Sequence, residues 1–148
     1  MKRSVFIILL TALVILTYAQ QPEPVSWSTR VKKTDPETVE IRLEATISKS
    51  WHIYSQTTPA GGPLPTNLKL SRNPLIIAQG GFKEVGNLLK KKEEVFGIDV
   101  FYYEDSVAFV QQVKLKTKAG TSVSATVKYM VCNDHECIPV TRQLTVLL

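Results

Sequence analysis

The chain has 148 residues, 44% of them hydrophobic and 21% charged, with a formal net charge of +5. That length suits one domain with a real core. The charges are scattered. The one basic run, Lys90-Lys91-Lys92, is followed at once by Glu93-Glu94. It reads as a solvated face, so no nucleic-acid partner is expected.

Met1-Lys2-Arg3 precedes an uncharged run from Ser4 to Gln21 whose apolar heart is Val5 to Leu16. A basic start, a short apolar stretch and the small residues Thr17 and Ala19 predict a secretory signal peptide over residues 1–19, cut after Ala19. The competing reading is an uncleaved N-terminal anchor, but the heart is short against the roughly 20 residues of a membrane span. No cysteine follows it for lipid attachment. Cleavage leaves residues 20–148 as one domain with a charge of +3. Export places that domain in the periplasm or another exterior compartment, where disulfides persist. No second apolar span follows, so no membrane segment is expected after cleavage.

Val25 to Lys33 is a candidate first strand, and Thr34-Asp35-Pro36-Glu37 carries turn chemistry. Val39, Ile41, Leu43, Ala45 and Ile47 then alternate with polar residues, the pattern of a half-buried antiparallel strand. Trp51 to Ser55 predicts a short aromatic strand, with Trp51 in the core. Thr58 to Thr66 holds three prolines and two glycines, which exclude regular structure. Asn67 to Leu70 and Leu75 to Ala78 are further strands, the latter ending before Gly80-Gly81. Phe82 to Lys92 fits a helical turn or an edge segment equally. Val95-Phe96-Gly97 marks a turn. Val100 to Tyr103 and Val107 to Lys116 are strands, and Lys118-Ala119-Gly120-Thr121 predicts a hairpin turn. Val123, Ala125, Val127, Tyr129 and Val131 alternate with Ser122, Ser124, Thr126, Lys128 and Met130. Leu144, Val146 and Leu148 alternate to the end. The sum is an all-β chain of seven to nine antiparallel strands, an immunoglobulin-like β-sandwich.

Both cysteines lie in Cys132-Asn133-Asp134-His135-Glu136-Cys137. Cross-strand neighbours sit near the Cα separation a disulfide needs, so an intramolecular bridge is geometrically easy. So short a ring contributes on the order of 2 kcal/mol. The spacing mildly favours a redox-active or locally rigidifying bridge over one that staples distant segments. Two other readings stay open: a fixed hairpin bridge in a secreted interaction module, and a Cu(I) or Zn site on Cys132, His135 and Cys137. A structural zinc wants a fourth ligand, and the only other histidine is His52. No phosphate loop, Ser-His-Asp set or zinc-protease motif occurs, and no bound cofactor is expected.

Three segments carry a family resemblance. Trp51-His52-Ile53-Tyr54-Ser55-Gln56, Gly62-Pro63-Leu64-Pro65-Thr66 and Tyr129 to Pro139 resemble, in that order, the N-terminal periplasmic domain of the thiol:disulfide interchange protein DsbD. The resemblance covers nearly all of the chain after Ala19. It implies an immunoglobulin-like domain that passes reducing equivalents between proteins through Cys132 and Cys137. Cys137 would form the mixed disulfide and Cys132 would resolve it. Partners would be thioredoxin-like or other redox proteins acting in trans on a monomer. If the chain is an enzyme, it is a protein-disulfide reductase component. The resemblance also implies a cap loop over the cysteines, at Glu93-Glu94-Val95-Phe96-Gly97. The family's capping aromatic aligns with Val95, beside Phe96, and both stay candidates. Tyr54, His135 and Pro139 are candidate partner contacts. Val140 replaces the second of two prolines that often follow the second cysteine. The family's membrane segment and thioredoxin-like domain have no counterpart, so exchange is expected with a separate protein. Asp134, Glu136, Glu93 and Glu94 disfavour a thiolate, which predicts a pair that is sluggish alone and reactive inside a partner complex.

Overall fold

The computed structural model describes residues 23–148, and the expected signal peptide lies outside them. Ten strands form two antiparallel sheets: β1 (Val25–Lys33), β2 (Thr38–Ile47), β3 (His52–Tyr54), β4 (Asn67–Leu70), β5 (Ile76–Gly86), β6 (Leu89–Glu93), β7 (Ile98–Tyr103), β8 (Ser106–Leu115), β9 (Ser122–Cys132) and β10 (Cys137–Leu147). One sheet runs β1-β2-β8-β5 and the other β10-β9-β3-β7-β6, with β4 also paired to β9. This is the expected immunoglobulin-like sandwich, with one strand more than the upper count. None of the described residues is helical.

The extra strand comes from the segment that fitted two readings. Phe82 to Lys92 is no helix: its first part completes β5 and its second is the edge strand β6. Gly80-Gly81 does not end β5 but sits where its register on β8 shifts, between Gln79 and Lys83. A bulge lets a strand continue past residues that would otherwise break it. The expected hairpin at Lys118–Thr121 is also corrected. β8 belongs to the four-stranded sheet and β9 to the six-stranded one, so this turn crosses between sheets. Alternation and turn residues signal that a strand ends; they do not encode which strand the next one pairs with.

The alternating sets meet between the sheets. Ile41, Leu43 and Phe109 from one sheet pack with Ile53, Val127, Tyr129 and Val131 from the other. Trp27 lies tilted on Phe109 and Tyr129, with centroids 5.9 and 5.5 Å away. Trp51 packs on the rim of this core. Tyr129 is therefore packing, as its inward phase requires.

Candidate functional site

Cys132 ends β9 and Cys137 begins β10, so the two are direct cross-strand partners. Their Cα atoms are 4.1 Å apart and the sulfurs are bonded. The turn between them is held by Asn133. Its N–H donates to the Glu136 carbonyl at 2.9 Å. Its side-chain oxygen accepts from the N–H groups of His135 and Glu136, both at 2.8 Å. An asparagine that bonds its own backbone two and three residues on is a turn former, so the sequence dictates this local shape.

The two sulfurs have unlike surroundings. Cys132 is 1% exposed, whereas Cys137 lies on the exposed rim with His135, Ile138 and Pro139. Cys132 is not buried in the sandwich core. It belongs to a second apolar cluster with Tyr54 and Val100, packed by Ile98, Tyr102 and Met130. Strand phase explains the placement. Ile53, Val131 and Tyr103 point between the sheets, so their neighbours His52, Tyr54, Cys132 and Tyr102 point to the opposite face. The outer face of such a sheet is usually polar and wet. Here it carries a small core of its own, with the disulfide at its edge.

The Ser55–Thr66 loop and the β6–β7 hairpin flank this cluster. Thr66 Oγ1 donates to the Tyr54 carbonyl at 2.5 Å, and Thr58 Oγ1 donates to the Phe101 carbonyl at 2.6 Å. The candidate cap segment Glu93–Gly97 is the hairpin turn itself. The N–H groups of Phe96 and Gly97 donate to the Glu93 carbonyl at 3.1 and 2.8 Å. Gly97 has φ +66°, a conformation that other residues rarely adopt. Val95 is 84% exposed and Phe96 49% exposed. A Cβ on Gly62 would stand 2.7 Å from Ile98 Cδ1 and 3.7 Å from Phe96 Cδ2, so the loop and the hairpin approach each other through a residue with no side chain. Tyr54, expected as a partner contact, is buried beneath these segments. His135 and Pro139, expected in the same role, are exposed beside Cys137.

His52 is the cross-strand partner of Cys132 on the side away from Cys137. Its Nε2 lies 3.2 Å from the Tyr54 hydroxyl, and its ring meets Tyr54 and Tyr102 edge-on at 5.2 Å. Burial, with Lys91 adding to it, lowers its pKa from 6.5 to about 4 against the pull of Glu93 and Asp134. Burial first, and then Glu93, pushes the Tyr54 hydroxyl up to about 12. In this bridged state neither sulfur has a lone thiolate to offer a metal.

The lowered His52 pKa predicts an acid limb in stability. Above pH 6.5 both the folded and the unfolded chain hold this residue neutral. As pH falls toward about 4, the unfolded chain binds a proton that the folded chain refuses. Stability is therefore lost across that window by up to about 3 kcal/mol, and the loss stops below it. Urea titrations of the wild type and His52→Phe at several pH values check this, because the variant should lack that part of the limb.

Glu84 on β5 is a residue that sequence reasoning missed. One carboxylate oxygen accepts from Ser55 Oγ at 2.6 Å and Tyr103 Oη at 2.9 Å; the other accepts from the Gln56 N–H at 2.7 Å. It ties the four-stranded sheet to the start of the loop beside the site. Burial and then Glu84 push the Tyr103 hydroxyl well above its ordinary pKa. The available signal was one carboxylate standing in phase with Phe82 and Gly86 on an edge strand.

A family model described as thiol:disulfide interchange protein DsbD, N-terminal, matches residues 19–148. Among solved structures, the N-terminal periplasmic domain of ScsB from Proteus mirabilis superposes with a TM-score of 0.57 at 15% identity, covering 88% of this chain and 49% of that one. The present chain thus spans about half of that relative's length. The reduced DsbD N-terminal domain from Neisseria meningitidis gives a TM-score of 0.51 at 16% identity, covering 86% and 89% of the two chains. The GAE domain of yeast GGA1 also gives 0.51, at 8% identity and with 86% and 95% covered. A search of curated proteins finds no match. Since the yeast domain fits as well as the bacterial one, the sandwich alone does not select a function.

Proposed function

The chain belongs to the family of the DsbD N-terminal domain, and from that premise we propose that it is an exported domain passing reducing equivalents between proteins through Cys132 and Cys137. The observation that carries this reading is the asymmetry of the pair: one sulfur is shielded in an apolar cluster and its partner stands on an exposed rim. Thiol–disulfide exchange proceeds by in-line attack on one sulfur while the other leaves. A bridge so placed offers Cys137 to an incoming thiolate and holds Cys132 back to resolve the mixed disulfide.

A purely structural bridge fits the surroundings less well. β9 and β10 already pair over eleven positions, and Asn133 already closes their turn. A cross-link there constrains a loop that is nearly closed without it, so it contributes little to stability. In the proposed cycle, the Glu93–Gly97 turn is the cap. Phe96 rests against the Gly62 loop and Val95 projects outward, so a partner can displace the turn by engaging Val95. His135 and Pro139 then form the rim of contact, and Tyr54 becomes accessible only once the turn has moved. The partner is a thioredoxin-like or other redox protein acting in trans, and the setting is the periplasm or another exterior compartment.

The test is the reduction potential of the pair, measured by equilibration with glutathione and with a thioredoxin. A value between about −180 and −270 mV, the range of exchange proteins, is expected. A value below about −300 mV, where structural bridges lie, would overturn the proposal.

A further inference from the structure

We propose that His52 donates a hydrogen bond to the buried Cys132 sulfur as charge develops on it during exchange, held in place by the cluster it forms with Tyr54. This rests on the exchange reading above and adds a residue to it. Three observations carry it. His52 and Cys132 are cross-strand partners with side chains on the same face, a placement that puts Cβ atoms about 4.5–5.5 Å apart. The ring is fixed by the Tyr54 hydroxyl and by edge contacts with Tyr54 and Tyr102. A cleft of about 550 Å³, lined by Trp51, His52, Lys91, Tyr102 and Asp134 among others, joins the ring to solvent.

The chemistry requires such a group. A reduced partner's thiolate attacks Cys137 Sγ, and a partner–Cys137 bond forms as the Cys132–Cys137 bond breaks. The electron pair of the broken bond leaves on Cys132 Sγ. That sulfur is enclosed by Tyr54, Val100 and Met130, so little water reaches its new charge. An unsolvated thiolate is a poor leaving group unless a donor meets it. The His52 ring nitrogen not engaged with Tyr54 donates a hydrogen bond to the sulfur and holds its charge, until a proton from water in the cleft neutralises it. In the return step the Cys132 thiol gives its proton to water in the cleft, and the same ring N–H steadies the thiolate as it attacks the mixed disulfide and releases the partner. The lowered basicity of the ring suits this, because a neutral ring keeps one N–H for the sulfur and one bare nitrogen for the Tyr54 hydroxyl.

The charged and titratable groups around the ring are Lys91 and Glu93 from β6, Asp134 from the cysteine turn, Tyr102 from β7 and Tyr54 from its own strand. Lys49, Glu104 and Asp105 stand further along the same cleft. Burial and Lys91 oppose a positive ring and outweigh Glu93 and Asp134, which favour it, so the ring stays neutral near pH 7.

The experiment is the rate at which dithiothreitol reduces the oxidised protein between about pH 5 and 9, compared for the wild type, His52→Phe and His52→Gln. The ratio of wild-type to variant rates cancels the titration of dithiothreitol. His52→Phe keeps the aromatic packing and removes both nitrogens. It should slow reduction by about ten-fold or more, the loss of one hydrogen bond to a charged group. His52→Gln restores an N–H donor and should recover most of that loss. The wild-type-to-Phe ratio should also climb toward the acid end of the range, where the ring begins to carry a charge. Equal rates for all three proteins would overturn the proposal. So would equal slowing in Phe and Gln with a ratio that does not change with pH, since that is the signature of packing. Should the His52→Phe chain fail to fold, His52→Leu takes its place under the same outcomes. Dithiothreitol needs no protein partner. A His52-dependent rate on a bridge that no thioredoxin reduces would therefore refute the exchange role alone, and the reverse result would refute only the role of His52.

Discussion

Cys132→Ser should accumulate a covalent one-to-one adduct with a thioredoxin-like partner whose single remaining active-site cysteine carries thionitrobenzoate, whereas Cys137→Ser should give almost none. The serine at 132 leaves Cys137 as a lone thiol on the exposed rim. Its thiolate attacks the partner's activated sulfur, thionitrobenzoate leaves, and the mixed disulfide persists because neither chain holds a second thiol to resolve it. In Cys137→Ser the surviving thiol is Cys132, enclosed by Tyr54, Val100 and Met130. A partner cysteine cannot approach it in line without displacing that cluster. Non-reducing electrophoresis reads both outcomes, and the adduct should vanish on adding dithiothreitol. Equal trapping by both variants would mean that burial does not rank the two sulfurs.

Glu84→Ala should lower stability by about 3 kcal/mol, a large effect for a residue on an edge strand. The carboxylate accepts three hydrogen bonds, from Ser55, Gln56 and Tyr103. Bonds to a charged group contribute about 1.5–3 kcal/mol each, and a buried donor left unpaired adds its desolvation cost. Ser55 and Tyr103 are both buried, so water replaces the lost acceptor poorly. The full sum is not reached, because Ser55 Oγ also has Thr57 Oγ1 at 2.8 Å. Glu84→Gln keeps an acceptor oxygen and should lose less. Urea midpoints with an unchanged slope would measure the difference. A loss below about 0.5 kcal/mol would mean that this anchor contributes no more than an ordinary surface side chain.

Much of the site was legible in the residues. Asn133 announced a tight turn, and the flanking alternation put Cys132 and Cys137 across from each other. The phase of Val127, Tyr129 and Val131 fixed that face of β9 as inward. The same phase put Met130 and Cys132 on the outward face with Lys128, Thr126 and Ser124. Two apolar residues at the end of an otherwise polar face were the signal for a second cluster. A matching signal lay in β3 and β7, where His52, Ile53 and Tyr54 are all buried and Val100 and Tyr103 are buried on opposite faces. Runs apolar on both faces belong to strands covered on both sides.

His52 was weighed in the sequence only as a distant fourth ligand, because nothing in its local pattern places it beside Cys132. The two are 80 positions apart, and only the pairing of β3 with β9 brings them together. Glu84 is a similar case, joined to Ser55 across 29 positions and across the two sheets. The turn at Lys118–Thr121 was misjudged for the same reason: it looks local and its outcome is not.

The sequence by itself determined most of the strands, their inward faces, the tight cysteine turn and the all-β class, but not β6 or the second half of β5. Each of these follows from side-chain period and turn chemistry within a few residues. Only the tertiary structure decided which strands are neighbours, and with that the unequal burial of the two sulfurs, the histidine beside Cys132 and the carboxylate that links the sheets. Strand pairing depends on how two faces fit over the whole sandwich, and no short window of residues contains that information.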